Sequence, residues 1–248
     1  MIIFGYQFFY MRLQTLFFAC CTLLIACSKN HAPADAPCYP LTSSPARIAE
    51  ESFYSGPDTS FLQRNLFVYD SAGRQVLELI TFMGSTDTFS RITYLPGKIM
   101  LNSVEILLNS QGLSDTIYGG PSPGSLKYNA EGYPVEETVS NAWGTTHSAL
   151  YYECHNRSLV YSRHVTVSGS GTDTTLYTYY YDKVNTIGNE NHGIFFYGRQ
   201  NNTLLKSQVT NGKVISTFRY VFDALNRVRW QITTDAGGTL LYRKVTYL

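Results

Sequence analysis

The chain has 248 residues, a formal net charge of +1, and 15% charged and 15% aromatic residues. Its 20 Tyr and 14 Phe exclude an intrinsically disordered chain, because disordered chains are poor in aromatic residues and have too little apolar surface to bury. The small net charge excludes a basic nucleic-acid binder, which needs a cationic excess to neutralise phosphates.

The N-terminus reads as an address. Residues 1–26 carry a single charge, Arg12, and Leu13 to Ala26 form the run LQTLFFACCTLLIA. That run falls short of the about 20 apolar residues of a membrane-spanning helix. A basic residue followed by such a run is the pattern of a secretory signal peptide. The run ends in Leu24-Ile25-Ala26-Cys27, which resembles a bacterial lipobox. The resemblance implies cleavage before Cys27, acylation of that cysteine and membrane anchoring through its lipid, each buried CH₂ contributing about 0.8 kcal/mol. The next residue is Ser28, which by analogy with bacterial lipoproteins favours the outer membrane, facing the periplasm or the cell surface. Loss of Arg12 with the signal balances basic residues against the 18 acidic ones, so no charged partner is expected.

Residues 27–50 hold the lipidated Cys27 and a Pro-rich tether. Pro33, Pro37, Pro40 and Pro45 forbid a regular helix and favour a semi-rigid spacer. Cys20 and Cys21 leave with the signal, so Cys38 and Cys154 remain. An exported compartment permits a disulfide between them. Closing so long a loop would stabilise by about 4–5 kcal/mol in the chain-entropy account; two unpaired thiols are the alternative. Cys154, His155 and His164 lack any metal-ligand spacing, and no metal or cofactor is expected.

Residues 51–248 read as a single antiparallel β domain. Phe218, Tyr220 and Phe222 alternate with Thr217, Arg219 and Val221, and Val228, Trp230 and Ile232 alternate with Arg227, Arg229 and Gln231. Thr175, Tyr177, Tyr179 and Tyr181 form a further stripe. This period of two is the antiparallel signature, and it assigns Trp230 to the core. Turn signals include Gly73, Pro96-Gly97, Gly112, Gly132, Asn211-Gly212, Asn226 and Gly237-Gly238. Asn211-Gly212 is the strongest hairpin signal, because a type I′ turn needs positive φ at both positions. The spacing predicts about 12–15 strands forming a barrel, a half-barrel or a strongly curved sheet.

One phrase recurs: Tyr69-Asp70-Ser71-Ala72-Gly73, Tyr128-Asn129-Ala130-Glu131-Gly132 and Phe222-Asp223-Ala224-Leu225-Asn226, with a fainter Leu108-Asn109-Ser110-Gln111-Gly112. An Asx side chain caps the turn and a Gly or Asn takes the left-handed position. The phrase resembles the YD repeat of Rhs-type proteins, which build β-sheet shells. The whole layout resembles an uncharacterised group of Bacteroidetes lipoproteins with a porin-like β-barrel or curved sheet. The resemblance rests on the lipobox, the tether and the segments YYYDKVNTIGNENHGIFFYG and FRYVFDALNRVRWQIT. It implies a fold and an envelope location, and it supplies no functional residue.

No catalytic residue is assigned. Gly120-Pro121-Ser122-Pro123-Gly124 matches G-x-S-x-G in letters only; Pro123 has no N–H for the oxyanion hole. No His pair has zincin spacing. His192 lies in the polar stretch Gly188–Gly193, which can hold a metal or a sugar, or be a solvated connection. Glu136 and Glu137 are adjacent and on a strand face opposite sides. Tyr177, Tyr179 and Tyr181 can form an aromatic platform for a glycan or pack within the sheet. The expected function is a non-enzymatic, lipid-anchored binding or scaffolding domain of the envelope, its partners being the membrane and a glycan or envelope protein. A glycan-binding lipoprotein of a polysaccharide-uptake system and an integral outer-membrane barrel are the alternatives.

Overall fold

The computed structural model describes residues 46–248, except 118–123, 142–143, 156–157, 169–170, 200 and 202. Cys27 and Cys38 lie outside the described residues, as does the side chain of Cys154. The chain forms β1 (Ile48–Ser55), β2 (Ser60–Tyr69), β3 (Gln75–Phe82), β4 (Ser85–Leu95), β5 (Lys98–Leu101), β6 (Val104–Leu107), β7 (Thr116–Ile117) and β8 (Gly124–Tyr128). It continues with β9 (Pro134–Asn141), β10 (Gly144–His155), β11 (Ser158–Ser168), β12 (Gly171–Val184), β13 (Thr203–Thr210), β14 (Lys213–Phe222), β15 (Val228–Asp235) and β16 (Leu240–Tyr247). The all-β antiparallel meander expected from the pattern of Thr, Tyr, Val and Ile is what forms. β1 begins at Ile48, so the sheet takes in the end of the segment read as a tether.

All 16 strands belong to one sheet, in the order β6-β5-β4-β3-β2-β1-β16-β15-β14-β13-β12-β11-β10-β9-β8-β7. The first and last strands pair, from Ile48↔Tyr247 to Ser55↔Leu241. The break falls between consecutive strands instead. Among the described residues, the segments that follow β6 and precede β7 share only the bridge Leu108↔Ser114, so the sheet is not closed into a barrel.

Three hairpins share one irregularity. Tyr69 pairs with Gln75 but Val68 with Leu77, leaving Val76 extra. Tyr128 pairs with Pro134 but Lys127 with Glu136, leaving Val135 extra. Phe222 pairs with Val228 but Val221 with Trp230, leaving Arg229 extra. Such a bulge sharpens local twist and bends the strand, which suits a sheet that must curl. It also corrects the assignment of Trp230. The extra residue moves Trp230 opposite the exposed Val221, out of the buried set that holds Val228, and its ring lies 5.8 Å from Tyr54.

Each of these bulges follows one of the recurring turns. Asp70 Oδ1 accepts the N–H groups of Ala72 and Arg74, and Asp223 Oδ1 those of Leu225 and Arg227. Asn109 Oδ1 does the same for Gln111 and Leu113, and Asn129 Oδ1 accepts from Tyr133. Positive φ falls at Gly73, Gly112, Gly132 and Asn226, as the turn requires. In two turns the carboxylate also holds an arginine, Arg74 and Arg227.

Candidate functional site

The long connection between β12 and β13, residues 185–202, is the centre of the molecule. Its consecutive residues dock on the recurring turns. Thr186 Oγ1 accepts from the Val228 N–H, after the Asp223 turn. The Gly193 carbonyl accepts from the Gln75 N–H, after the Asp70 turn. The Phe196 carbonyl accepts from the Ser114 N–H, after the Asn109 turn. Gln75, Ser114 and Val228 each follow the capping Asx by five positions, and each is fully buried. At the fourth turn that position is Pro134, which has no N–H to give. There the bond reverses, and the Arg199 N–H donates to the Gly132 carbonyl.

This path shows how far the sheet curls. Phe196 packs in a buried cluster with Ile92, Ile99 and Ile106 of β4, β5 and β6. Two residues on, Gly198 lies against Tyr128 and Gly132 of the β8–β9 hairpin. These hairpins stand at opposite ends of the strand order, so the curl brings the two edges side by side across the strap. A second cluster, Ile48, Phe67 and Val245, closes the same end, with Ile187 of the strap packed on it. Arg47 ties the entering chain in place. Its Nε donates to the Gly73 carbonyl at 2.5 Å and its Nη1 to the Glu190 carbonyl at 2.7 Å.

Beneath the strap lies a buried charge cluster. Glu51 is 4% exposed. His192 Nε2 lies 2.9 Å from Glu51 Oε1, while Nδ1 faces the Gly188 carbonyl at 3.0 Å. Arg243 Nη2 donates to the same Glu51 oxygen, and Arg243 Nη1 to Gln231. Burial works against the Glu51 charge, but the hydrogen bond from His192 and the charge of Arg243 outweigh it and hold its pKa below the usual value. Glu78 is the opposite case. Its burial raises the pKa, with the Glu51 charge adding to the effect. His192, read as a metal or sugar candidate or a solvated residue, thus joins an ion-pair cluster. Among the described residues no cluster of His, Cys, Asp and Glu could hold a metal ion.

Beside this cluster the curled sheet and the strap line an open cavity of about 370 Å³. Tyr152 of β10, Tyr177 and Tyr179 of β12, and Phe218 and Tyr220 of β14 supply its aromatic wall. Asn201 of the strap donates to the Tyr179 hydroxyl at 2.6 Å, and burial pushes that phenol's pKa up. Tyr181 is not among the lining residues; its ring lies 6.2 Å from that of Tyr179. Asn185, Arg199, Asn201, Thr203, Gln231 and Arg243 are its polar lining residues. Two of their atoms, Thr203 Oγ1 and Arg243 Nε, are buried without a hydrogen-bond partner. The alternation marked the Tyr stripe; nothing in it marked Thr203, Arg243 or Glu51, and Glu51 meets Arg243 through the β1–β16 pairing.

No family model matches the chain, and none of the curated proteins matches it in sequence. Among solved structures the chain is similar to a porin-like protein from Bacteroides uniformis. The identity is 14% and the TM-score 0.54, over 81% of this chain and 98% of that one. A weaker likeness, with a TM-score of 0.33 and 8% identity, covers 72% of this chain and 12% of the TcdB2-TccC3 chain. The first likeness establishes the fold, an open, porin-like curved sheet.

Proposed function

We propose that this chain is a lipid-anchored, non-enzymatic binding domain of a bacterial cell envelope, and that the cavity between sheet and strap is its binding element. The observation that carries the reading is that cavity: about 370 Å³, with five aromatic side chains in its wall and polar ones from Asn185, Arg199 and Gln231. A concave, largely apolar pocket with a few placed polar groups is the usual form of a small-ligand site. Among the described residues no Asp or Glu lines it, so a ligand there meets no carboxylate pair of the kind glycoside hydrolysis uses. The lipobox ending in Cys27 supports the anchor, and the fold of the porin-like neighbour agrees with an envelope setting.

Two observations favour this reading over an integral barrel. A spanning barrel has to satisfy every backbone group by closure, whereas among the described residues the segments that follow β6 and precede β7 share a single bridge. Exposed charge also sits on the β8–β9 hairpin, next to the last strand of the sheet. Lys127 and Glu136 pair at 2.6 Å with side chains 72% and 55% exposed, a costly arrangement against lipid. The test is a thermal-shift screen of the full chain with small polar and aromatic compounds, wild type beside Tyr177→Ala. A ligand of the native state raises Tm by mass action. The reading expects compounds that stabilise the wild type and lose that effect in the variant; equal responses in both proteins overturn it.

A further inference from the structure

We propose that the cavity takes an organic monocarboxylate, its apolar body against the aromatic wall and its carboxylate on Arg199; this rests on the binding reading above and names its ligand class. The charged residues that line the cavity are Arg199 and Arg243, with no Asp or Glu beside them. The two arginines are not equivalent. Arg243 is answered by the Glu51 carboxylate, and its Nη1 bonds Gln231. Among the described residues Arg199 makes no ion pair. The phenols do not balance it either. Burial raises the pKa of Tyr152, Tyr179 and Tyr220, so they stay neutral at neutral pH. The wall therefore carries one positive charge that nothing else in it offsets.

The strap fixes where that charge stands. The Arg199 N–H donates to the Gly132 carbonyl at 2.9 Å, which holds the backbone against the β8–β9 turn. Arg199 is exposed and lines both the cavity and the groove beside it, which places it at the cavity's mouth. Its charge acts on the Tyr133 phenol, whose ring lies 5.3 Å from that of Tyr152 in the cavity wall. Cation and aromatic wall thus adjoin. Glu131 and Glu190 line the groove and not the cavity, so these carboxylates stand outside the site. One unbalanced charge suits a single negative one, whereas a dianionic phosphate would carry charge that the wall does not answer. The guanidinium fork matches the two oxygens of a carboxylate. The five aromatic side chains call for an apolar body, and a volume at the small end of ligand pockets suits one of one or two rings.

The full chain, in a non-ionic detergent at low salt, is titrated by calorimetry with benzoate, phenylacetate, hydrocinnamate and indoleacetate, each beside its neutral amide. Phenyl phosphate completes the set. At least one acid is expected to bind about 3- to 10-fold more tightly than its amide, as for one charge-assisted contact at an exposed arginine. Added salt should erase that margin by screening. Arg199→Gln should bring the acid down to its amide and leave the amide unchanged, while Tyr177→Ala should weaken both. The acid–amide comparison in the wild type stands whether or not a variant folds. Amides that match their acids, both weakened by Tyr177→Ala, overturn the carboxylate assignment and leave the binding domain standing. An acid preference that survives Arg199→Gln in folded protein overturns the role of Arg199. Phenyl phosphate as the tightest ligand overturns the preference for a monoanion. No binding of any probe by folded protein overturns the proposal and counts against the binding reading as well.

Discussion

The Gln75 N–H donates to the Gly193 carbonyl at 3.2 Å, and a Cβ placed on Gly193 would stand 2.8 Å from that nitrogen and 2.6 Å from the Gly73 carbonyl oxygen. Gly193 also has φ +70°, a region that charges any side chain about 1–2 kcal/mol. The strap and the Asp70 turn therefore approach as closely as backbones can.

Gly193→Ala combines that strain with a clash against backbone, which overpacking puts at about a further 1–3 kcal/mol. Gly212, in the β13–β14 hairpin, has φ +77° and open space around it. Gly212→Ala should pay the strain alone. Urea unfolding of the two variants is expected to separate them by the clash. Equal losses would mean that the strap yields at Gly193 without cost.

The sequence made these turns legible as local chemistry, because Asp70, Asn129 and Asp223 each cap their own backbone. What they jointly support was not legible. Residues 185–202 are rich in Asn and Gly, which reads equally as a solvated loop. In the structure those small polar residues satisfy backbone groups of the strap and of the entering chain, as when Asn191 donates to the Ala46 carbonyl and Asn185 Oδ1 accepts from the Ile187 N–H. The extra residues Val76, Val135 and Arg229 were equally hidden, because a bulge reverses the in-out alternation without changing composition. The half-buried position of Trp230, against Tyr54, follows from that. The Tyr stripe was legible as far as Tyr177 and Tyr179; beyond Tyr180 the pairing of β12 is irregular and Tyr181 does not join them in the cavity lining, whereas Thr203 and Glu51 carried no local signal.

The Glu51 cluster should set the acid limit of stability. A carboxyl whose pKa is lower folded than unfolded stabilises above its unfolded value, and loses that contribution as pH falls through the folded value. For Glu51 the loss begins near the ordinary 4.5 and completes below it. Glu51→Gln leaves Arg243 and His192 without their carboxylate. It should cost about 3–5 kcal/mol at neutral pH and flatten the acid limb of the stability profile. Glu78 has the opposite sign: its raised pKa is a penalty above the unfolded value that fades as pH falls. Glu78→Gln keeps an acceptor for Asn65 and should stabilise at pH 7 with the gain shrinking in acid. Denaturant titrations from pH 3 to 8 check both signs; a Glu51→Gln profile parallel to wild type would refute the cluster's role.

The proposed anchor at Cys27 is separable from the fold. Acylation at Cys27 would act through buried methylenes, and the sheet begins at Ile48. Cys27→Ser, expressed in a bacterial host with an alkyne fatty acid, should therefore lose the label and the membrane fraction together. The urea midpoint of the extracted protein should not move. A labelled Cys27→Ser chain would show that the lipid sits elsewhere.

Phe196 tests whether the strap or the strand ladder holds the free edge. β5 and β6 have four residues each, too short to be stable as an isolated ribbon, and among the described residues only one bridge joins the segments that follow β6 and precede β7. Their inner residues Ile99 and Ile106 are fully buried, with Phe196 at 3% exposure in the same cluster. Phe196→Ala should remove about 3–5 kcal/mol. The loss should be local before it is global, because β1, β2 and β16 draw their burial from the separate Ile48, Phe67 and Val245 cluster, and β15 pairs with β16. Hydrogen exchange is expected to accelerate first at β5 and β6, with protection in β15 and β16 retained. Uniform acceleration over the whole sheet would mean that the strap and both clusters unfold as one unit, and that the open edge is no weaker than the paired termini.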